Sequence, residues 1–242
     1  MNATASWGRA GRVLAWAAAA VLAITVALGV LGAVRGPVLP APTVAAPTPG
    51  PASILPSRPA RWVDVDSLTR RLTVAPYLSG QLPGKPFTFA QPTSTTGLFT
   101  EVTLGAVADD PGWRQNKNLP VGVLVADLEP KTVVAGDLDA TGRGVLAEFG
   151  RRVYNALSDL QVADLRSDPE TAIGSFPARW SHATVTGGLG DGTVERAELS
   201  MLLVALPNGR HFALVEIRPN HPGASQHFAA MDRAAASIVA TG

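Results

Sequence analysis

The chain has 242 residues, of which 46% are hydrophobic and 16% charged, a composition that excludes a highly charged disordered protein. It contains no cysteine, which excludes a disulfide framework, a thiol nucleophile, a cysteine-ligated metal and lipid attachment at a cysteine. The formal net charge of +1 argues against a nucleic-acid partner. Residues 1–61 carry five arginines and no acidic residue, whereas residues 62–242 carry 15 basic and 19 acidic ones. This split indicates two different environments.

Residues 13–34 form an apolar stretch without a charge. As a helix it would span roughly 33 Å, about the thickness of the bilayer core. Arg9 and Arg12 precede it, so residues 1–12 should stay in the cytoplasm and the rest of the chain should lie outside. A cleaved signal peptide and a buried core helix are the alternatives, but a signal peptide has a shorter apolar region. We expect an uncleaved signal-anchor helix in a single-pass protein of the cell membrane.

Residues 35–61 contain eight prolines. Proline cannot continue a helix or join a central strand, so this stretch predicts an extended, semi-rigid linker. Residues 62–242 then form one extracytoplasmic domain, long enough to bury a core of its own.

The first half of this domain contains short strand patterns. Asp66 could cap a short helix that carries Leu68 and Leu72. Residues 87–89, 98–107 and 121–128 are predicted to be strands, and Val133-Val134 to extend a neighbouring one. The sequence Asp109-Asp110-Pro111-Gly112 predicts a turn between the second and third of these strands.

Two helices and three more strands are predicted in the second half. Apolar residues at spacings of three and four predict an amphipathic helix over residues 140–160. Strands are expected at 176–186, 193–206 and 211–217, with a glycine-rich hairpin loop before the second and Asn208-Gly209 in the hairpin before the third. A closing helix should begin at about Ser225 as its N-cap. The order predicts an α+β fold in which an antiparallel β-sheet is packed by helices.

Two local patterns carry a family resemblance. They are the segment Ile173-Gly174-Ser175-Phe176-Pro177-Ala178-Arg179, and the hairpin Leu206-Pro207-Asn208-Gly209-Arg210 followed by a strand and a closing helix. With the element order, they resemble the Mog1/PsbP-like α/β/α sandwich, and in particular the LpqN-type family of actinobacterial envelope proteins. The resemblance implies a non-enzymatic adaptor, assembly factor or envelope-associated binding protein, and it brings no catalytic residue. The chain departs from the family in lacking the anchoring cysteine and in placing Gly112-Trp113 after a later strand.

Asp137, Asp139 and Thr141 nearly fit a calcium-binding loop, with Glu148 at the twelfth position. However, no helix enters this loop, and its second half is predicted to be helical. The alternative is that these residues cap the helix at its N-terminus, which we favour. No cofactor and no metal site are predicted.

Five residues are candidates for binding a ligand or partner: Trp113, Arg179, Trp180, His182 and His211. The tryptophans and the arginine could line a groove, although core packing is the simpler role for Trp180. His182 and His211 could face each other across neighbouring strands. None of the four histidines belongs to a zinc-protease motif, and no nucleophile-elbow motif is present.

These observations predict a non-enzymatic domain, anchored in the cytoplasmic membrane, that binds or positions a partner in the cell envelope. The partner is an unidentified envelope protein or lipid. A carrier or sensor of an apolar lipid or glycolipid is the alternative, since apolar pockets suit such ligands. A hydrolase is the third hypothesis, and it would require His182 or His211 to meet a nucleophile and an acid at hydrogen-bonding distance.

Overall fold

The structure is a computed structural model that describes residues 61–90, 97–107, 120–189 and 192–241. The predicted membrane helix at 13–34, the linker up to residue 60 and the turn at 109–112 lie outside these residues. Within them, none of the helices has the length and apolar character needed to cross a membrane.

Twelve strands and three α-helices follow one another along the described residues. In chain order they are β1 (Val63–Val65), β2 (Arg71–Val74), β3 (Leu78–Gln81), β4 (Phe87–Ala90), β5 (Phe99–Val107), β6 (Gly122–Leu128), a 3₁₀ turn (Pro130–Thr132), α1 (Leu138–Val153), β7 (Ser158–Ser167), β8 (Thr171–Ile173), β9 (Phe176–Gly188), β10 (Val194–Ala205), β11 (His211–Pro219), α2 (Pro222–Ser225), α3 (Phe228–Ala236) and β12 (Val239–Ala240).

The strands form two antiparallel sheets. The larger has the order β4-β5-β6-β11-β10-β9-β7, with β8 paired to β9, and the smaller has the order β1-β2-β3-β12. Helix α1 covers one face of the large sheet, while the small sheet and α3 pack on the other. The predicted α+β class, an antiparallel sheet packed by helices, is therefore confirmed.

One face of the central strands is mostly apolar where it lies under α1. Odd-numbered positions of β9, β10 and β11 supply Val185, Leu199, Met201 and Val215, which are almost fully buried. Helix α1 contributes Leu146, Phe149 and their neighbours to the same cluster. The apolar face predicted for this helix is thus the face that packs on the sheet.

The opposite face is covered at one end only. There, Leu72 and Leu78 of the small sheet and Met231 of α3 pack against Leu202 and Leu214 of the large sheet. Towards the other end of β10, Glu198 and Arg196 are exposed. Half of this sheet face is therefore core, and half is open to solvent.

The described part of the chain begins at the covered end of this sheet face. Glu101 accepts hydrogen bonds from the backbone N–H groups of Trp62 (3.0 Å) and Val63 (2.9 Å), and the Arg210 guanidinium lies 3.9 Å from the centre of the Trp62 ring. The turn from β2 to β3 is bonded to both ends of the described chain. Ala75 N donates to Trp62 O (3.1 Å), and Thr241 N donates to Tyr77 O (2.8 Å).

The predicted strands at 87–89, 98–107, 121–128, 176–186, 193–206 and 211–217 are all present, with small shifts at their ends. The predicted helix at 140–160 begins as expected, but α1 ends at Val153, and the chain enters β7 at Ser158. Leu157 and Leu160 continue the helical spacing by chance. Val133-Val134 is not a strand; it follows the 3₁₀ turn and leads into α1.

The predicted short helix after Asp66 is wrong. Asp66 Oδ1 instead accepts hydrogen bonds from the backbone N–H groups of Leu68 (2.8 Å) and Thr69 (3.1 Å) in the tight turn between β1 and β2. These bonds, with the neighbouring hydroxyl of Thr69, lower the pKa of Asp66. Leu68 lies exposed in this turn, and Leu72 is buried in β2.

The closing helix is broken in two. Ser225 is the last residue of α2, and its hydroxyl donates to Pro222 O (2.9 Å), so it is not the predicted N-cap. His221 caps α2 by accepting a hydrogen bond at Nδ1 from Gly223 N (3.1 Å). The main helix, α3, begins three residues later than predicted.

Candidate functional site

The half-covered face of β9, β10 and β11 changes from apolar to polar along the strands. Register places Trp180, Leu202 and Leu214 in one row across the sheet, and the next row contains His182, Ser200 and Glu216. We call these last three residues the polar row. Further along, rows of Thr184, Glu198 and Arg218 and then Thr186 and Arg196 follow. The polar row marks the boundary between the core and the open half of the sheet face.

His182 connects the polar row to the loop after β7. Its Nδ1 lies 3.0 Å from Ser200 Oγ, and its Nε2 lies 3.3 Å from Asp168 Oδ2. The His182 side chain is mostly buried, whereas that of Asp168 is exposed. A serine, a histidine and a carboxylate therefore meet at hydrogen-bonding distance, which is the condition that the hydrolase hypothesis set.

Glu216 is the buried acid of the polar row, at 1% exposure. Its Oε2 accepts hydrogen bonds from Arg218 Nε (3.1 Å) and Nη2 (2.5 Å), and Arg218 also pairs with Asp232 of α3. Among the described residues, nothing donates to the buried Oε1 of Glu216. Burial raises the pKa of Glu216 above its ordinary value; Arg218 opposes this shift, and the nearby Asp232 adds to it.

An open groove of about 640 Å³ lies over the polar half of the sheet face. Charged and polar side chains dominate its strand side: Asp164, Arg166, Thr184, Arg196, Glu198 and Arg218. The start of α2 and Phe228 of α3 form the opposite wall. Phe228 also lies under the guanidinium of Arg218, whose carbon is 5.5 Å from the ring centre. A lining of this kind suits a polar or charged ligand better than an apolar one.

Ser200 is poorly placed as a nucleophile. It is 5% exposed, and it lies in the middle of β10, between two paired strands. Backbone N–H groups that pair in a ladder on both sides of a strand are not available to stabilise an oxyanion. The hydrogen bonds of His182 hold its ring in place beside Trp180, whose ring is nearly parallel, with 6.3 Å between the centroids.

Of the four predicted site residues that the structure describes, two lie together. Trp180 and His182 are neighbours on the half-covered face, at the edge of the polar row. Arg179 points to the other face of β9, where it donates to Asp168 O (3.3 Å) and Glu170 Oε2 (3.5 Å). Trp113 lies outside the described residues.

His211 does not face His182, contrary to the expectation from the sequence. It pairs with Ala205 at the start of β11, whereas His182 lies in the row of Ser200 and Glu216, several residues further along the strands. Burial lowers the pKa of His211, while a hydrogen bond that its ring donates to the backbone of Gly209 and the charge of Asp127 oppose this shift.

Sequence reasoning missed most of the polar site: Asp168, Ser200, Glu216, Arg218 and Asp232. A signal for two of them was present. The Asn208-Gly209 hairpin fixes the register of β10 and β11, and that register pairs Ser200 with Glu216. Ser200 and Glu216 each interrupt an apolar run, Leu199–Ala205 in β10 and Phe212–Ile217 in β11, and their pairing indicates a polar row.

The near-calcium loop is a helix cap. Asp137 Oδ1 accepts a hydrogen bond from Ala140 N (2.8 Å), while Asp139 pairs with Arg143 and Glu148 with Arg152. A hydrogen bond from Ser167 and the pairing with Arg143 lower the pKa of Asp139. Across the described ranges, no three histidine or acidic side chains are grouped to hold a metal ion.

Comparison with known proteins yields no family. No family model matches the chain, and no curated protein matches it. Among solved structures, the chain is similar to the Ran-binding protein Mog1p of Saccharomyces cerevisiae, at 10% identity and a TM-score of 0.39, over 66% of this chain and 88% of that one. We draw nothing about function from a match at this level. The α+β assignment rests on the elements described above, and the resemblance to the LpqN-type family stays a prediction.

Proposed function

We propose that this chain is a non-catalytic binding domain that positions a partner in the cell envelope through the groove over β9, β10 and β11. Its anchor would be the apolar stretch at 13–34, which would hold the domain outside the cytoplasm. The observation that carries the proposal is the open, charged groove on the half of the sheet face that core packing leaves uncovered. The LpqN-type resemblance of the sequence agrees with a binding role.

Site-specific photocrosslinking in native cells tests this function. A photoreactive amino acid would replace Thr184 inside the groove or, as the matched control, Arg143 on the exposed side of α1. We expect the full-length chain to form a discrete adduct with an envelope protein from position 184 and none from position 143. The same adducts from both positions, or none from either, would contradict the proposal.

The lipid-carrier alternative has less support. The space between the large sheet and its covering elements is filled by side chains such as Leu202, Leu214 and Met231, which are 0–3% exposed. The groove is lined by charges, and burying an apolar chain against unpaired polar groups is unfavourable.

A hydrolase remains the second candidate because Asp168, His182 and Ser200 form a hydrogen-bonded series. We expect a fluorophosphonate probe, which labels activated serines, to leave the full-length chain unmodified, because Ser200 is buried in a paired strand. Mass spectrometry reads the result, with Ser200→Ala as the control. Labelling of the natural chain that disappears in the variant would favour the hydrolase over the binding domain.

A further inference from the structure

Arginines from three strands line the groove, and they differ in their pairing. Arg218 is held by Glu216 and Asp232, and Arg166 forms an exposed ion pair with Glu198 at 3.4 Å. Arg196 of β10 is exposed, and among the described residues no acidic side chain pairs with it. Its guanidinium therefore offers all of its N–H donors to solvent or to a ligand.

Two more groups surround this guanidinium. Asn220 lies directly across from Arg196, since Asn220 N donates to Arg196 O (2.8 Å), and both residues line the groove. Arg218 is the diagonal neighbour on β11, within reach of a long side chain. Arg218 donates from Nε and Nη2 to Glu216, and from Nη2 also to Asp232. These bonds fix the orientation of its guanidinium plane. Arg196, Asn220 and Arg218 thus form a corner rich in hydrogen-bond donors.

We infer that this corner of the groove binds one carboxylate side chain of the protein partner. The inference rests on the proposed function. A planar carboxylate matches the fork of a guanidinium, and a pre-oriented arginine with an adjacent amide is suited to hold it. The ligand lies at the solvent-exposed end of the sheet face, where no core residue has to move.

The other charges of the groove argue against a polyanion. Asp164 and Glu198 line the same groove, and Glu216 and Asp232 already offset the charge of Arg218. A nucleic acid or an anionic membrane surface needs a broad excess of positive charge. Residues 62–242 instead contain more acidic than basic residues. This mixed lining fits a ligand segment with one carboxylate, which would bind Arg196. The ligand residues on either side of that carboxylate would be neutral or basic, because they would lie beside Asp164 and Glu198.

Binding of short peptides to the full-length chain in detergent tests the inference. The probes are the N-acetylated, C-amidated peptide Lys-Ala-Glu-Ala-Lys, its counterpart with glutamine in place of glutamate, and inorganic phosphate, and affinity is measured by calorimetry. We expect the glutamate peptide to bind, and Arg196→Ala to weaken its binding by about tenfold, which is the effect of losing one charge-assisted pair. Arg143→Ala, which removes an exposed arginine of α1 outside the groove, should leave binding unchanged.

Three results would overturn the inference: equal weakening by the two arginine variants, binding of the glutamine peptide as tight as that of the glutamate peptide, or binding of phosphate as tight as that of the glutamate peptide. Because Arg196 is exposed, its variant should unfold at the same temperature as the natural chain, and this is checked by circular dichroism. Photocrosslinking separates the two proposals. An adduct from position 184 that persists in Arg196→Ala contradicts the carboxylate site and leaves the binding function standing, whereas absence of any adduct contradicts the binding function itself.

Discussion

Replacing Arg218 by alanine should lower the free energy of unfolding by about 3 kcal/mol at neutral pH, because it leaves the carboxylate of Glu216 buried without a partner. Urea unfolding followed by circular dichroism measures this loss. Arg143→Ala is the matched control, since its pair with Asp139 is largely exposed, screened by solvent, and should contribute little to stability.

The loss should depend on pH, in a direction that follows from the pKa of Glu216. Burial raises the pKa of Glu216 in the folded state, so the neutral acid stabilises the fold. This stabilisation is fully present below the ordinary pKa of a glutamate and is lost as the pH rises through the raised pKa. Removing Arg218 raises the pKa further, because the guanidinium favours the ionised form. The difference between the variant and the natural chain should therefore be small at about pH 4 and large at about pH 7.5. A loss of equal size at both values would contradict the role of an unpaired carboxylate.

Two glycines of α1 should respond oppositely to alanine. A Cβ at Gly142 would lie 2.2 Å from Ser181 Oγ and 3.1 Å from Ser181 Cβ, whereas a Cβ at Gly144 would meet nothing within 4 Å. Gly142→Ala should destabilise the domain by about 2 kcal/mol, since the buried Ser181 hydroxyl must leave its contact with Ser167 and the approach to Ser181 Cβ stays tight. Gly144→Ala should stabilise it by up to about 1 kcal/mol through helix propensity alone. Thermal unfolding of the two variants measures the contrast.

A double variant tests whether the contact with Ser181 causes the loss of stability in Gly142→Ala. Adding Ser181→Ala to Gly142→Ala removes the closest atom and should recover part of the lost stability, a coupling expected only for residues in contact. No recovery, or stabilisation by Gly142→Ala alone, would show that α1 does not lie this close to β9.

The strands that the sequence predicts correctly have two buried faces or a clear turn beside them. Strands β10 and β11 are examples, with long apolar runs joined by Asn208-Gly209. Strand β7 was missed because it lies at the edge of the large sheet, where most of its side chains are exposed and no apolar alternation is needed. The sequence places Leu160 of this strand in the preceding helix, because a single apolar residue fits the spacing of a helix as well as that of a strand.

The candidate site was harder to predict because it depends on register rather than on a local motif. Trp180 and His182 could be named as conspicuous residues of one strand. Glu216 and Arg218 look like ordinary charges within β11 until the pairing with Ser200 and Asp232 is known. The loop between β9 and β10 has no turn signal that fixes its length, so the row joining His182 to Ser200 could not be derived from sequence alone.

Both ends of the described domain are bonded to the single turn that carries Ala75 and Tyr77, and the groove lies at the other end of the large sheet. From Ala205 to Arg196 the strand covers roughly 30 Å, at ~3.3 Å per residue. A fluorescent label, an affinity tag or a sensor surface attached at either end is therefore kept away from the groove by the length of the sheet. A ligand can be measured in the groove of an immobilised chain without interference from the point of attachment.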